Sequence, residues 1–225
     1  MLAFTVDWDW SLAERAYRRA LELDPPGVDA RVRYAKFLAV RGRPRESIAE
    51  CAKAEELNPL SMIVKVIAGF SCFWNGDSER ALETGRTAIA LAPDFFNTHK
   101  VAGSVLARRG QYEEAIAAFE EARRLEPNFE VLGSLGRNYG RAGRTADARK
   151  VLAELLARAK SRYVPAATIA NIYDGLGDVE QCKVWMNKAI TVRESRIVFI
   201  KAGADDLTRA NPHFGEWMKK IGQDK

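Results

Sequence analysis

Residues 21–25 read Leu-Glu-Leu-Asp-Pro, and a phrase of the same kind closes three further stretches of the chain. It returns as Glu-Glu-Leu-Asn-Pro at 55–59, Ile-Ala-Leu-Ala-Pro at 89–93 and Arg-Arg-Leu-Glu-Pro at 123–127, each time after 34 residues. A fixed period of this length predicts a repeat array, in which each unit contacts only its neighbours, rather than a single globular core.

Each unit carries the pattern of two helices. In the third unit Ala115, Phe119 and Ala122 recur at steps of three or four, which places them on one helical face. A glycine stands midway through every unit, where one helix should end and the backbone should turn back. These glycines are Gly42, Gly76, Gly110, Gly143 and Gly177. Each unit is therefore predicted to be a helix, a tight turn and a second, antiparallel helix.

This frame of small residues, aromatic residues and closing prolines resembles the tetratricopeptide repeat family. The resemblance implies an all-α fold, a right-handed superhelical α-solenoid of antiparallel helix pairs. We place a partial repeat at 1–27, a C-terminal capping segment at 197–225, and five full repeats at 28–61, 62–95, 96–128, 129–162 and 163–196. In the capping segment we expect a last helix with Asn211 as its N-cap and Pro212 as its first residue. The side chains expected to face inward are Phe214, Trp217, Met218 and Ile221.

Two further phrases carry a narrower resemblance. The opening Asp7-Trp8-Asp9-Trp10 and the ending from Leu207 to Phe214 are similar to phrases in certain bacterial proteins with C-terminal tetratricopeptide repeats. Those proteins are winged-helix transcriptional regulators, adenylate-cyclase-like proteins and serine/threonine kinases. The resemblance implies a part in bacterial regulation.

Composition and motifs argue against several classes of function. The chain is 47% apolar and 29% charged, which is typical of a soluble folded protein, and no apolar run reaches the roughly 20 residues of a membrane span. The first ten residues contain two aspartates and no Lys or Arg, so we expect a cytoplasmic protein. No phosphate-binding loop, zinc-protease or serine-hydrolase motif is present, and we expect no enzymatic activity.

We also expect no metal or cofactor. The three cysteines and two histidines are too scattered for a zinc site, and we predict that Cys51, Cys72 and Cys182 are buried structural residues. The glycine-rich stretch 133–143 could suggest a nucleotide loop, and 174–180 a calcium loop. Both fit the repeat frame better, as helix-packing and turn positions.

The concave groove of the array is the predicted binding surface. In the repeat frame, the first helices of the units should present these groove side chains: Lys36, Phe70, Phe73, Lys100, Ser104, Arg137, Arg141, Asn171 and Asp174. Residues 61–74 are apolar nearly all round, which indicates either a buried helix or one that meets a partner. We expect the groove to bind a peptide or a partner domain.

A basic sector offers the alternative function. Residues 137–162 hold eight Lys or Arg against two acidic residues, a pattern that attracts nucleic acid. Only Tyr139 could stack on a base within this sector, so we do not expect a nucleic-acid partner and predict a solvated helix face.

The N-terminal edge is predicted to lack a polar cover. The helix that begins near Ser11 keeps Tyr17 in the core frame, and Trp8 and Trp10 precede it, whereas terminal repeats normally carry a polar outer face. Either the chain is the C-terminal piece of a longer regulator, or this edge pairs with a second copy through Phe4, Trp8 and Tyr17 to form a homodimer.

Overall fold

The computed structural model describes residues 7–223, and every regular element among them is a helix. Helix α1 (Trp10–Leu23) comes first, and the shortened helix predicted before it, at 1–6, lies outside the described residues. Five antiparallel pairs follow: α2 (Val28–Val40) with α3 (Pro44–Leu57), α4 (Met62–Trp74) with α5 (Ser78–Leu91), α6 (Phe96–Arg108) with α7 (Tyr112–Leu125), α8 (Phe129–Arg141) with α9 (Thr145–Arg158), and α10 (Ala166–Leu176) with α11 (Val179–Thr191). The predicted all-α solenoid of helix pairs is confirmed, and we propose the five predicted units as its repeats.

The turns inside the pairs follow the predicted chemistry. The five midway glycines adopt φ values between +70° and +81°, a region that costs other L-residues energy. Several helices begin at a short polar residue whose side chain accepts a hydrogen bond from a backbone N–H in the first turn. These N-caps are Asp9, Ser61, Asp77, Asn128 and Asp178.

The first helices of the pairs pack side by side along the inner side of the array. Helices α8 and α10 approach each other closely, because a Cβ built on Gly140 would lie 2.4 Å from the carbonyl carbon of Gly175. Thr168 and Ile172 of α10 similarly face Gly133 and Gly136. Gly133, Gly136 and Gly140 therefore form a helix-packing surface of α8, and Gly143 is the turn glycine that follows it.

The apolar helix predicted at 61–74 is mostly buried. In α4 the side chains of Val64, Val66 and Phe73 are buried, whereas Phe70 is only partly covered and Ile63 remains 45% exposed. Burial within the array thus accounts for most of the apolar side chains of α4, and Ile63 and Phe70 line the cavity inside the array.

The capping helix differs from the prediction at its start. A one-turn 3-10 helix (Ile197–Phe199), α12 (Ile200–Gly203) and α13 (Asp206–Arg209) precede α14 (Phe214–Lys220). Helix α14 begins two residues later than Pro212, because the side chain of Asn211 closes a turn by accepting from the backbone N–H of His213. Three of the four side chains predicted to face inward are buried, namely Trp217, Met218 and Ile221. Phe214 is only partly buried.

The end of the chain returns to its beginning. We call residues 196–209 the crossing segment, because they lead from the last pair back to α1 and α2. Val198 is buried in one cluster with Tyr17, Tyr34 and Phe37. Farther along, the Trp10 Nε1–H donates to the Ile221 carbonyl at 3.3 Å. The solenoid is therefore closed into a ring.

Ring closure corrects the predicted N-terminal edge. Tyr17 is only 7% exposed, and Trp8 packs against clusters that contain Trp217 and Val198. The chain's own C-terminal part thus covers these two rings, whereas Leu12 stays exposed and Phe4 lies outside the described residues. Homodimer formation stays a prediction, but Trp8 and Tyr17 no longer support it.

The cysteines lie where the repeat frame predicts. Cys51, Cys72 and Cys182 are free and buried. Burial raises the pKa of Cys51 to about 11 and that of Cys182 to about 12, and it also raises the pKa of Cys72.

Slow thiol labelling is the expected consequence. Since the thiolate is the reactive species, native protein at neutral pH should react with a thiol-specific reagent far more slowly than urea-unfolded protein. Time-resolved absorbance with an aromatic disulfide reagent measures both rates. Stoichiometric labelling of the native protein within the first seconds would contradict the structural role.

Within residues 7–223, no helix combines the length and the apolar character that crossing a membrane requires.

Candidate binding cavity

One cavity of about 360 Å³ lies between the inner helices and the crossing segment. Seven of the nine predicted groove residues line it. They come from five different helices and are Lys36, Phe70, Phe73, Lys100, Ser104, Arg137 and Asn171. The two remaining residues, Arg141 and Asp174, lie beside the cavity in a network of ion pairs, and the binding role of all nine stays a prediction.

That network joins α8, α10 and the crossing segment. Arg137 places its Nε 2.9 Å from Asp174 Oδ2 and its Nη2 2.8 Å from Asp205 Oδ2. Arg141 Nη2 also lies 2.9 Å from Asp174 Oδ2, and the Thr208 hydroxyl donates to the same oxygen at 2.9 Å. The side chains of the four charged residues are only 10–18% exposed.

The network corrects the prediction of an open groove. Along the fourth and fifth repeats, Asp205 of the crossing segment pairs with Arg137, and Thr208 donates to Asp174. Arg141 and Asp174 are therefore paired within the chain. The part of the inner face that remains accessible lies nearer to α2, α4 and α6.

Removing one carboxylate from the network is expected to destabilise the fold. Asp205→Asn leaves two largely buried arginines with one full counter-charge, and we expect a loss of about 2 kcal/mol in the free energy of unfolding at neutral pH. Urea denaturation followed by circular dichroism measures it. Asp206→Asn is the matched control, because Asp206 is the exposed neighbour, and it should change stability by less than about 0.5 kcal/mol.

The same pair of variants has a pH signature. Burial opposes ionisation of Asp205, but the charge of Arg137 and hydrogen bonds from Thr208 hold its pKa below the usual range. A carboxyl whose folded pKa lies below the unfolded value of about 3.9 stabilises fully above that value and loses its contribution as pH falls further. The difference in the free energy of unfolding between the wild type and Asp205→Asn should therefore become smaller below about pH 4. A constant difference down to about pH 2 would show that charge is not its source.

A second charged group lies at the other end of the cavity. Lys100 Nζ lies 2.7 Å from Glu130 Oε1, and Arg196 Nη1 lies 2.5 Å from Glu130 Oε2. Although burial alone would raise it, the pKa of Glu130 is held at about 2 by these two cations. The charges of Glu130, Lys100 and Arg196 also act on Lys36, whose Nζ lies 4.4 Å from the ring centroid of Phe199.

Several cavity residues were missed from the sequence. Phe199, Asp205 and Thr208 of the crossing segment follow the last repeat and therefore have no place in the 34-residue frame, whereas Arg196 is the final residue of the predicted fifth repeat. Phe199 stacks on Trp74 with the ring centroids 5.6 Å apart. The phrase around Leu207 was the only signal that this segment has a distinct character.

The basic sector is divided between two environments. Arg137 and Arg141 face inward, whereas Arg149 and Lys150 are exposed on α9. On the same outer side, Arg144 pairs with Glu113 and Asp147, and Arg158 pairs with Glu154. The uncompensated charge on the outer face is thus smaller than the sequence count indicates. No group of His, Cys, Asp and Glu side chains in residues 7–223 has the arrangement of a metal site.

Solved structures share this fold. A crystal structure of MamA is 26% identical, with a TM-score of 0.53, over 69% of this chain and 92% of that chain. A thermophilic tetratricopeptide repeat protein of Thermus thermophilus gives a TM-score of 0.61 at 20% identity, over 78% of this chain and 98% of that one. The pilF protein of Pseudomonas aeruginosa gives 0.56 at 18% identity, over 82% and 84%. The last two likenesses concern the fold alone.

Family models give the identity of the repeats. Three tetratricopeptide repeat models match residues 9–61, 97–129 and 167–196, which together make up just over half of the chain. No curated protein sequence matches the chain significantly. The matched segments contain helices from both ends and the middle of the ring, so this chain belongs to the tetratricopeptide repeat family.

Proposed function

We propose that this chain is a non-catalytic protein-interaction module that binds a peptide or a partner domain through the inner face of the ring. Tetratricopeptide repeat arrays generally mediate protein–protein interaction, because their stacked helices present an extended concave surface. The observation that carries the proposal is the convergence of seven predicted groove residues on one cavity. The nucleic-acid alternative has no comparable support, since the inward turn of Arg137 and Arg141 removes two cations from its surface.

The partner surface that we propose is the accessible half of the inner face. There the cavity lining includes the partly exposed Lys36 of α2 and Phe70 of α4, and the buried Lys100 of α6 lies 5.2 Å from the Phe70 ring centroid. Ile63, at 45% exposure, extends this surface towards solvent. A partner segment with apolar and acidic side chains would complement both features.

We further propose that the module acts in a bacterial regulator. The support is the narrower resemblance of Asp7–Trp10 and Leu207–Phe214 to such proteins. Both phrases also take part in ring closure or in the ion-pair network, through Trp10 and Thr208.

Affinity capture with two variants tests the proposal. Ser104→Trp places a large ring in the cavity, whereas Arg149→Glu reverses a charge on the outer face of α9. Both variants should keep the helical circular dichroism of the wild type. We expect wild type and Arg149→Glu to retain the same protein from a nuclease-treated bacterial extract, and Ser104→Trp to lose it. If Ser104→Trp still captured the protein, or if only Arg149→Glu failed to capture it, the interface would lie outside the cavity.

A further inference from the structure

The cavity inside the ring has an excess of positive charge. Among the described residues that line it, five are cationic and two are acidic. The cations are Lys36, Lys100, Arg108, Arg137 and Arg196, and the acidic residues are Glu130 and Asp205. Asp205 is engaged by Arg137, and both oxygens of Glu130 are engaged by Lys100 and Arg196. The two carboxylates in the cavity are therefore fully used.

No ion pair joins Lys36 to either of these carboxylates, and the remaining cation, Arg108, donates a hydrogen bond to the Phe73 carbonyl. Within residues 7–223, no ion pair or hydrogen bond joins the Lys36 ammonium group to another residue, and its contact is the face of the Phe199 ring. Burial lowers the pKa of Lys36 to about 8, and the nearby charges of Arg196 and Lys100 lower it further than Glu130 can raise it. A partly buried cation without a hydrogen-bonded counter-charge lowers the stability of the folded protein.

We propose that the cavity binds a small organic anion, with its carboxylate or phosphate group at the Lys36 ammonium and its apolar body against the rings of Phe70, Trp74 and Phe199. The anion supplies the directly paired counter-charge that residues 7–223 do not place at the Lys36 ammonium. This site lies on the same inner face as the proposed function and specifies an anion-binding position there, which a free anion would occupy without any protein partner.

The size and lining of the cavity fit such a ligand. A volume of about 360 Å³ lies at the small end of the range for ligand pockets, which is roughly 300–1,000 Å³. Phe70 stacks on Trp74 at 5.4 Å, and Trp74 stacks on Phe199 at 5.6 Å, so three rings form one continuous apolar wall. An aromatic or aliphatic body can lie against this wall while its anionic group points to Lys36. The same anion could be free or carried by an acidic side chain of a peptide.

Three probes separate these sources by isothermal titration calorimetry. 3-Phenylpropionate represents the free organic anion, 3-phenylpropanamide is its neutral isostere, and a capped Ala-Phe-Glu-Ala peptide carries the anion on a side chain. We expect 3-phenylpropionate or the peptide to bind the wild type, and the neutral amide to bind about tenfold more weakly or not at all.

Variants of one position identify the site. Lys36→Met keeps the length of the side chain and removes the charge, so it should weaken anion binding by about tenfold or more and raise the melting temperature. Lys150→Met is the matched control on an exposed lysine and should change neither. Lys36→Arg keeps the cation and should retain binding even if Lys36→Met fails to fold.

The pH dependence of the wild type is an independent readout. Lys36 is faced by Arg33 on its own helix, Lys100 on α6, Glu130 on α8, and Arg196 and Phe199 on the crossing segment. Because the anion binds the protonated amine, affinity should fall as pH rises through about 8 and upwards, whereas Lys36→Arg should keep its affinity.

Binding of 3-phenylpropionate that Lys36→Met abolishes supports a free anion as ligand. Binding of the peptide alone, with the same loss, supports the site with a protein-borne anion. The inference is overturned if neither 3-phenylpropionate nor the peptide binds at about 10 mM, or if the neutral amide binds equally well. It is also overturned if the affinity for the anion changes neither in Lys36→Met nor with pH. None of these results depends on the affinity capture described above, so the two proposals can fail separately.

Discussion

Gly175→Ala is expected to lower the free energy of unfolding by about 3 kcal/mol or more. A Cβ at this position would lie 2.3 Å from the carbonyl oxygen of Arg137 and 2.6 Å from its Cα. Both atoms belong to the backbone of α8, so no side-chain rotation can relieve the overlap. Helices α8 and α10 would have to separate, and the ion pairs of Arg137 with Asp174 and Asp205 would lengthen with them. Urea denaturation monitored at the helical circular dichroism band gives the value.

Gly215→Ala is the matched control for this substitution. Gly215 lies in α14 with no atom within 4 Å of its built Cβ, and alanine has the higher helix propensity by about 1 kcal/mol. We expect this variant to be as stable as the wild type or slightly more stable. Equal stabilities for Gly175→Ala and Gly215→Ala would mean that α8 and α10 lie farther apart than described.

Trp217→Ala should cost about 4 kcal/mol, since it removes one of the largest fully buried side chains. The ring is 1% exposed and lies in a cluster with Met186 and Ile190 of α11 and with Ile197. Without the Trp217 ring, Met186 and Ile190 of α11 become more exposed to solvent. Ile197 of the crossing segment also loses a packing contact. We expect a lower urea midpoint and, because the crossing segment forms one wall of the cavity, weaker binding of any ligand there.

Val184→Ala serves as the control for the second substitution. Val184 is 58% exposed on α11, so its truncation removes little buried area and should change stability by less than about 0.5 kcal/mol. A Trp217→Ala variant whose urea midpoint equals that of Val184→Ala would show that α14 does not cap the array.

The repeat frame predicts everything that recurs every 34 residues. It places the turn glycines, the buried cysteines and the inner-face residues such as Phe73 and Lys100, because each depends on contacts within a pair or between neighbouring pairs. Periodicity reports only on such local contacts.

Contacts between distant parts of the chain have no such signal. Arg137 and Asp205 are 68 residues apart, and Trp10 and Ile221 are 211 apart. The frame assigns Arg137 to the groove but cannot show that a later segment supplies its partner. The charge count in residues 137–162 likewise cannot separate inward arginines from those on the outer face.

Contact between Trp10 and Ile221 also changes the mechanics of the array. In an open solenoid each repeat touches only its neighbours, so the array can flex like a spring and its terminal repeats can melt independently. Here the first and last units are neighbours as well, and fraying at either end must break contacts at both. The ring should therefore be stiff and should unfold in one cooperative transition. A ligand should bind in its interior without an increase in the diameter of the ring.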